Sequence, residues 1–207
     1  MEFFDRAYDG SPPWDIGRPQ PEFVRLEETG EIRRRVLDVG CGTGENALFY
    51  ASRGHETWGV DFAPTAIRRA REKAGTRGLA VRFMAASALE LSDLAERFDT
   101  ITDSGLFHTF TDEQRPVYAA SVAGALRPGG RFFLLCFSER ESTDWGGPRR
   151  VTQDELRASF STGWRVRWIR DARFATIVPT IEGHAWLAAF ERVRIPEEVG
   201  ARVPARR

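Results

Sequence analysis

Three glycines alternate within the run LDVGCGTGEN, at Gly40, Gly42 and Gly44, directly after an apolar stretch. This pattern is typical of a turn from a buried strand into a helix, where residues without a Cβ let the backbone approach a ligand closely. A second apolar run ends in Asp61, whose carboxylate can accept hydrogen bonds from two ribose hydroxyls. The residues therefore predict a nucleoside site at the carboxyl edge of a parallel sheet.

The spacing of the glycines indicates which kind of nucleoside binds. Dinucleotide-binding proteins use G-x-G-x-x-G, whose third glycine lets the helix pack close to the strand beneath a pyrophosphate. Here Glu45 occupies that third position, and we expect its carboxylate to repel phosphate groups. A cofactor without phosphates is favoured, and an NAD-dependent oxidoreductase is disfavoured.

The segment LDVGCGTG and Asp61 resemble the first motif and the acidic ribose-binding position of class I S-adenosylmethionine (SAM)-dependent methyltransferases. The resemblance implies an α/β fold with one Rossmann-like domain, in which helices cover both faces of a mostly parallel seven-stranded sheet with an antiparallel last strand. It also implies SAM as the cofactor, S-adenosylhomocysteine as the product, and no metal. The cofactor-binding residues that it implies are Trp14, Gly40, Cys41, Gly42, Gly44, Asn46, Asp61, Phe62, Ala86, Ser87, Ala88, Asp103 and Ser104.

A second segment, PWDIGRPQP at residues 13–21, resembles the P-W-D-x-G-x-P-x-P segment of a subgroup that includes bacterial small-molecule and plant halide and thiol methyltransferases. In that subgroup the segment folds over SAM. It implies a helical arm or lid at residues 1–30, a SAM-binding domain at 31–195 and a tail at 196–207. Trp14 would contact the sulfonium or anchor the arm, and Tyr8 would line the acceptor pocket or only pack.

Three further residues each have two interpretations. Ser87 stands where the family usually has an acidic residue that contacts adenine, so it either binds adenine or caps the following short helix. Asp103 either receives the cofactor ammonium or holds its own loop. His108 is either a general base with an ordinary pKa near 6.5, or a packed or orienting side chain with one nitrogen bonded to the backbone.

Hydrophobic patterning places the remaining elements around these residues. Apolar runs predict strands at 79–85, 98–102, 131–137, 164–169 and 184–190, and the resemblance inserts the last strand next to the fifth. Helices are predicted at about 64–75 and 112–126, and at 153–160 behind a capping box of Thr152 and Glu155. His184 and Trp186 share one face of the last strand, where packing on an edge strand is favoured over a place in the pocket.

Composition bounds the function. The chain has 207 residues, and its 30 basic and 30 acidic residues cancel, so a small-molecule acceptor is expected instead of nucleic acid or a membrane. No signal-peptide pattern or membrane-length apolar run occurs, which predicts a cytoplasmic protein. The sequence does not decide between a monomer and a homodimer. The predicted reaction is methyl transfer to N, O or S of a small aromatic or heterocyclic molecule. The alternatives are a thiol or halide methyltransferase and a non-catalytic SAM-binding partner protein.

Overall fold

A computed structural model of the protein describes residues 2–144, 147–181 and 183–193, so the predicted tail at 196–207 lies outside the described residues. Within them seven strands form one sheet in the order β3-β2-β1-β4-β5-β7-β6. The strands are β1 (Arg35–Val39), β2 (Glu56–Asp61), β3 (Val81–Ala85), β4 (Phe98–Ser104), β5 (Leu126–Phe137), β6 (Trp164–Arg173) and β7 (His184–Arg192).

The pairing of the strands confirms the predicted topology. Strands β3, β2, β1, β4 and β5 pair in parallel, so their carboxyl ends meet at one edge of the sheet. Strand β7 is antiparallel to both β5 and β6, as the resemblance implied. Because β7 lies between two strands, the expectation of an edge strand for His184 and Trp186 is wrong. Trp186 is 1% exposed in the core, and its Nε1 donates to Glu139.

Helices pack on both faces of the sheet. They are α1 (Glu2–Ala7), α2 (Pro21–Glu28), α3 (Glu45–Ser52), α4 (Pro64–Arg77), α5 (Gln114–Ala125) and α6 (Gln153–Ser159), with short 3-10 helices at Ala88–Asp93 and Phe107–Thr109. None of these helices, within the described part of the chain, is long and apolar enough to cross a membrane.

Strand β5 shows why both faces must be covered. Its alternate residues point to opposite sides of the sheet, and both sets are buried. Phe132 and Leu134 join the core cluster that includes α5 and α6, whereas Phe133 and Leu135 join the cluster that includes α2 and α3. The sheet is therefore the middle layer of three.

Element boundaries differ from the sequence predictions by a few residues. Helix α4 continues past Gly75 to Arg77, because Gly78 supplies the left-handed C-cap at φ +63°. Helix α5 begins at Gln114, after a turn in which the Thr111 carbonyl accepts from the Gln114 N–H. The capping box of Thr152 ahead of α6 is confirmed, since its side chain and that of Glu155 each accept from the other's backbone N–H.

Candidate active site

The glycine loop joins β1 to α3 and has backbone angles that favour glycine. Gly42 has φ +53°, and a Cβ there would lie 2.7 Å from the Tyr8 hydroxyl oxygen. Gly44 has φ +88° at the N-cap of α3, and its Cβ would lie 2.7 Å from the Phe83 ring. The loop is thus a tight cradle in which larger residues would clash.

Asp61 ends β2 directly beside this loop. Its two carboxylate oxygens accept from the backbone N–H groups of Gly42 and Ala63, each at 2.9 Å. Burial raises the pKa of Asp61, and the two backbone hydrogen bonds oppose that rise. Because each carboxylate oxygen can accept a second hydrogen bond, the ribose hydroxyls of a nucleoside fit this group. The next residue, Phe62, meets the ring of Phe4 edge-on at 5.9 Å.

Residues 2–20, hereafter the N-terminal arm, lie against the glycine loop. Trp14 Nε1 donates to the Tyr8 hydroxyl at 2.9 Å, and their rings meet edge-on. Burial, and then the nearby charge of Asp61, raise the pKa of Tyr8, so its hydroxyl stays neutral. The cavity between the arm and the loop, which Ser104 also lines, is about 60 Å³. This volume is far below the roughly 300 Å³ or more of a typical small-molecule site. The arm therefore lies closely over the glycine loop.

Several polar contacts fasten the arm. The Asp5 carboxylate accepts from the Thr65 N–H at 3.0 Å, in the first turn of α4. The Gln20 side chain exchanges two hydrogen bonds with the backbone of Ala175, and the Gln20 N–H donates to Asn46 Oδ1 at 2.9 Å. The predicted cofactor residue Asn46 thus holds the arm in this structure.

At the adenine end, the structure supports the capping interpretation of Ser87. Its hydroxyl accepts from the Leu89 N–H at 3.2 Å, as the N-cap of the 3-10 helix. Ala86 donates its N–H to the Asp61 carbonyl at 3.0 Å, and the Ala88 carbonyl accepts from the Ser121 hydroxyl at 2.8 Å. Adenine recognition by these three residues remains a prediction.

Asp103 is fully buried, and the structure supports the interpretation that it holds its loop. Its carboxylate accepts from the N–H groups of Leu106 and Phe107 and from the Tyr118 hydroxyl, the last at 2.7 Å. Burial raises the pKa of Asp103 to about 7 despite these hydrogen bonds. With both oxygens engaged and no exposed surface, the carboxylate is poorly placed to receive the cofactor ammonium directly.

His108 is also buried, and the structure does not favour it as a general base. Its Nδ1 accepts from the Phe137 N–H at 3.2 Å, so the neutral ring carries its proton on Nε2. Burial, assisted by the charge of Arg115, lowers the pKa of His108 to about 3. The ring stacks on Phe137 at 5.3 Å and contacts Phe174 at 5.9 Å. The geometry supports the interpretation of His108 as a packed side chain.

Cys41 and Glu45 lie next to the expected cofactor, but neither offers it redox chemistry or an unpaired charge. Cys41 is buried, and burial raises the pKa of its thiol well above the ordinary value, which leaves it unreactive. Glu45 points to α4, where it pairs with Lys73 at 2.7 Å and Arg77 at 2.8 Å. The expectation that the Glu45 carboxylate would repel phosphate groups is therefore wrong, because Lys73 and Arg77 neutralise this carboxylate.

Sequence reasoning did not find the roles of Gln20 and Lys73. Gln20 reaches a residue 155 positions away, a contact that no local pattern announces. Lys73 carried one signal, since it is the only lysine among 30 basic residues.

Comparisons with known proteins agree with this geometry. A family model described as "Methyltransferase domain" matches residues 36–130. A 2-heptyl-1-hydroxyquinolin-4(1H)-one methyltransferase of Mycobacteroides abscessus is 40% identical over 183 residues, covering 84% of this chain and 81% of that protein. A probable thiol methyltransferase of Arabidopsis thaliana is 36% identical over 141 residues, covering 67% of this chain and 62% of that protein.

Among solved structures, one from work on the conversion of a disulfide bond into a thioacetal group during echinomycin biosynthesis is 40% identical. The match covers 96% of this chain and 95% of that chain, with a TM-score of 0.87. Given these identities over most of each chain, and a glycine loop and acidic residue that fit a nucleoside, the chain belongs to the class I SAM-dependent methyltransferases.

Proposed function

We propose that the protein transfers the methyl group of SAM to an N, O or S atom of a small aromatic or heterocyclic molecule. The observation that carries the acceptor class is the aromatic cluster of His108, Phe137 and Phe174 at the carboxyl end of the sheet. A Cβ on Gly105 would lie 2.8 Å from the Phe174 ring, so this cluster reaches the end of β4. The three side chains are 4–5% exposed, and the aromatic edge that they leave at the end of the sheet suits a flat acceptor.

The relatives support this class. The 40% identical protein of Mycobacteroides abscessus carries the name of a hydroxyquinolinone methyltransferase, and a hydroxyquinolinone is a flat heterocycle. A formal net charge of zero also suits a small acceptor better than a nucleic acid.

Bound SAM supplies an electrophilic methyl group on its sulfonium, and the task of the chain is to bind and orient. Asp61 would hold the ribose, and the glycine loop would let the backbone approach the cofactor. The N-terminal arm, with Tyr8 and Trp14, would cover the cofactor and exclude water. Placing an acceptor lone pair in line with the methyl group then accounts for the rate, since good orientation is worth about 7–11 kcal/mol at its best.

Among the described residues, the aromatic cluster itself supplies no evident base. His108 is neutral, its Nδ1 is occupied, and its remaining N–H can donate to an acceptor oxygen or nitrogen. An acceptor whose lone pair is already available, or which ionises by itself in water, therefore suits this site best.

A second candidate is methylation of a thiol or a halide. The Arabidopsis relative, named as a probable thiol methyltransferase, favours it, and a thiolate also needs no base from the protein. A third candidate, a SAM-binding partner protein without turnover, requires only the cofactor half of the site.

One experiment separates these candidates. Purified protein is incubated with SAM and a panel of hydroxyquinolones, phenols, aromatic amines, thiols and iodide, and S-adenosylhomocysteine is measured. Turnover of the heterocycles above that of thiols and iodide supports the proposal, and the reverse order supports the second candidate. SAM binding in calorimetry without turnover on any acceptor would favour the non-catalytic partner.

A further inference from the structure

Lys73 connects α4 to the glycine loop. Its Nζ donates to the Thr43 hydroxyl at 2.8 Å and to Glu45 Oε1 at 2.7 Å. The Thr43 hydroxyl in turn lies 2.9 Å from Asp15 Oδ1, in the N-terminal arm. Three separate segments of the chain therefore meet in one line of hydrogen bonds.

The direction of this line is fixed by chemistry. An ammonium group can only donate, so the Thr43 hydroxyl must accept from Lys73. The hydroxyl has a single proton, and the Asp15 carboxylate can only accept, so that proton points at Asp15. Lys73 thus orients the Thr43 hydroxyl, and that hydroxyl holds Asp15 of the arm. These hydrogen bonds link Lys73 to Asp15 only through Thr43.

The other end of the line is anchored as well. Arg77 donates to both oxygens of Glu45, at 2.8 and 2.9 Å. Burial alone would raise the pKa of Glu45, but the hydrogen bonds and charges of Arg77 and Lys73 lower it. Glu45 stays ionised and keeps the Lys73 ammonium in place.

Lysine chemistry suits this position in a chain whose other cations are arginines. One compact nitrogen atom reaches two oxygens of different side chains, Thr43 in the loop and Glu45 at the start of α3. A guanidinium spreads its N–H groups over a rigid planar fork, and it does not replace a point-like ammonium at such a site.

We propose that Lys73 is a positioning residue, which holds the N-terminal arm over the glycine loop by aiming the Thr43 hydroxyl at Asp15. Only its consequence for SAM affinity rests on the proposed function. The position of the arm itself can be measured without cofactor.

The test is hydrogen exchange of the backbone amides of residues 11–20, expressed relative to those of β4 in the same sample. This ratio removes the effect of global unfolding. Lys73→Met and Thr43→Val should each speed exchange in the arm by about tenfold, the usual effect of losing a hydrogen bond to a charged group. Arg68→Met is the matched control, because it removes an exposed cation of the same helix that pairs with Glu72.

Asp15→Ala supplies the second part of the test. If the line runs through Asp15, Lys73→Met adds no further exchange in the Asp15→Ala background. Unchanged exchange in Lys73→Met, or an equal increase with and without Asp15, overturns the proposal.

Activity gives a separate readout. Lys73→Met should raise the KM for SAM by about tenfold and leave kcat within about twofold, because SAM at saturation restores closure of the arm. If the wild-type protein fails to bind SAM, the proposed function fails, and the exchange experiment still decides the role of Lys73.

Discussion

Burial raises the pKa of three buried carboxyls, Asp38, Asp61 and Asp103, and lowers the pKa of the buried His108 imidazole, so each shift favours the uncharged form. Burial, the largest cause, raises the pKa of Asp38 from about 3.8 to about 7, although the Thr102 hydroxyl donates to it at 2.8 Å. Asp103 shifts in the same direction and His108 in the opposite one. These groups link the stability of the fold to pH.

The sign follows from the proton count. Between about pH 4 and pH 7 the unfolded chain releases the Asp38 proton while the folded chain retains it, so this group lowers stability as pH rises. Asp38→Asn removes the effect and keeps an oxygen for Thr102. We expect the variant to gain about 1.4 kcal/mol over the wild type for each pH unit in that range, with a plateau above it.

The free energy of unfolding in urea between about pH 5 and pH 8 measures this gain. The contribution of His108 cancels in the difference. The charges of Asp103 and Asp61 raise the pKa of Asp38, so their coupling to Asp38 is part of the measured gain. Asp93→Asn, the same change at an exposed position, is the control. A difference from the wild type that stays constant with pH would show that Asp38 ionises normally in the fold.

The sequence places Asp61 at the end of β2, and the structure has it there, beside the glycine loop. We expect Asp61→Asn to weaken SAM binding by about 1.5–3 kcal/mol, because an amide offers one acceptor oxygen where the carboxylate offers two. Calorimetry with SAM measures this loss, and thermal unfolding verifies that the variant is folded. Unchanged affinity in a folded variant would remove Asp61 from the cofactor site.

Local patterns revealed Asp61 and the glycine loop because a strand end and a tight turn are short-range features. The neutrality of His108 could not be predicted in this way. It depends on Phe137 and Phe174, which lie 29 and 66 positions away and bury the ring only after the sheet has formed.

At the level of elements, the strands were predictable and the arm was predictable only as a resemblance. A continuous apolar run that is buried on both faces identifies β5 directly, whereas the arm is held by individual polar contacts. Such contacts carry no periodic signal. The partners of the arm include α4, the glycine loop and the Ile177 N–H, which donates to the Pro13 carbonyl at 3.0 Å.

Deletion of residues 1–18 tests the arm as an element. The sheet should stay folded, because its large core clusters lie beyond this segment and Gln20 is retained. Loss of the cover over the glycine loop should weaken SAM binding by about tenfold or more and slow turnover. Circular dichroism, calorimetry and initial rates measure the three effects. Wild-type kcat and KM in the truncated protein would show that the arm is no lid.

At the scale of the whole molecule, the two halves of the site differ in how they are built. The proposed cofactor half comes from consecutive elements, β1 to β2, so local sequence patterns indicate where its residues lie. The proposed acceptor half combines the arm, the end of β4 and Phe174 after β6, which are far apart in the sequence. Chemistry on the acceptor side is therefore a property of the assembled fold.

The burial of His108 in the assembled fold predicts which group sets the pH dependence of the rate. With His108 neutral from about pH 3 upward, the apparent pKa of kcat/KM should be that of the acceptor and should follow it across a series. Two acceptors of one chemical class with clearly different pKa values, such as substituted thiophenols, provide the comparison. His108→Asn should change the rate without moving either apparent pKa, since it removes an orienting contact and no titration. One apparent pKa shared by both acceptors and absent from His108→Asn would establish this histidine as the base.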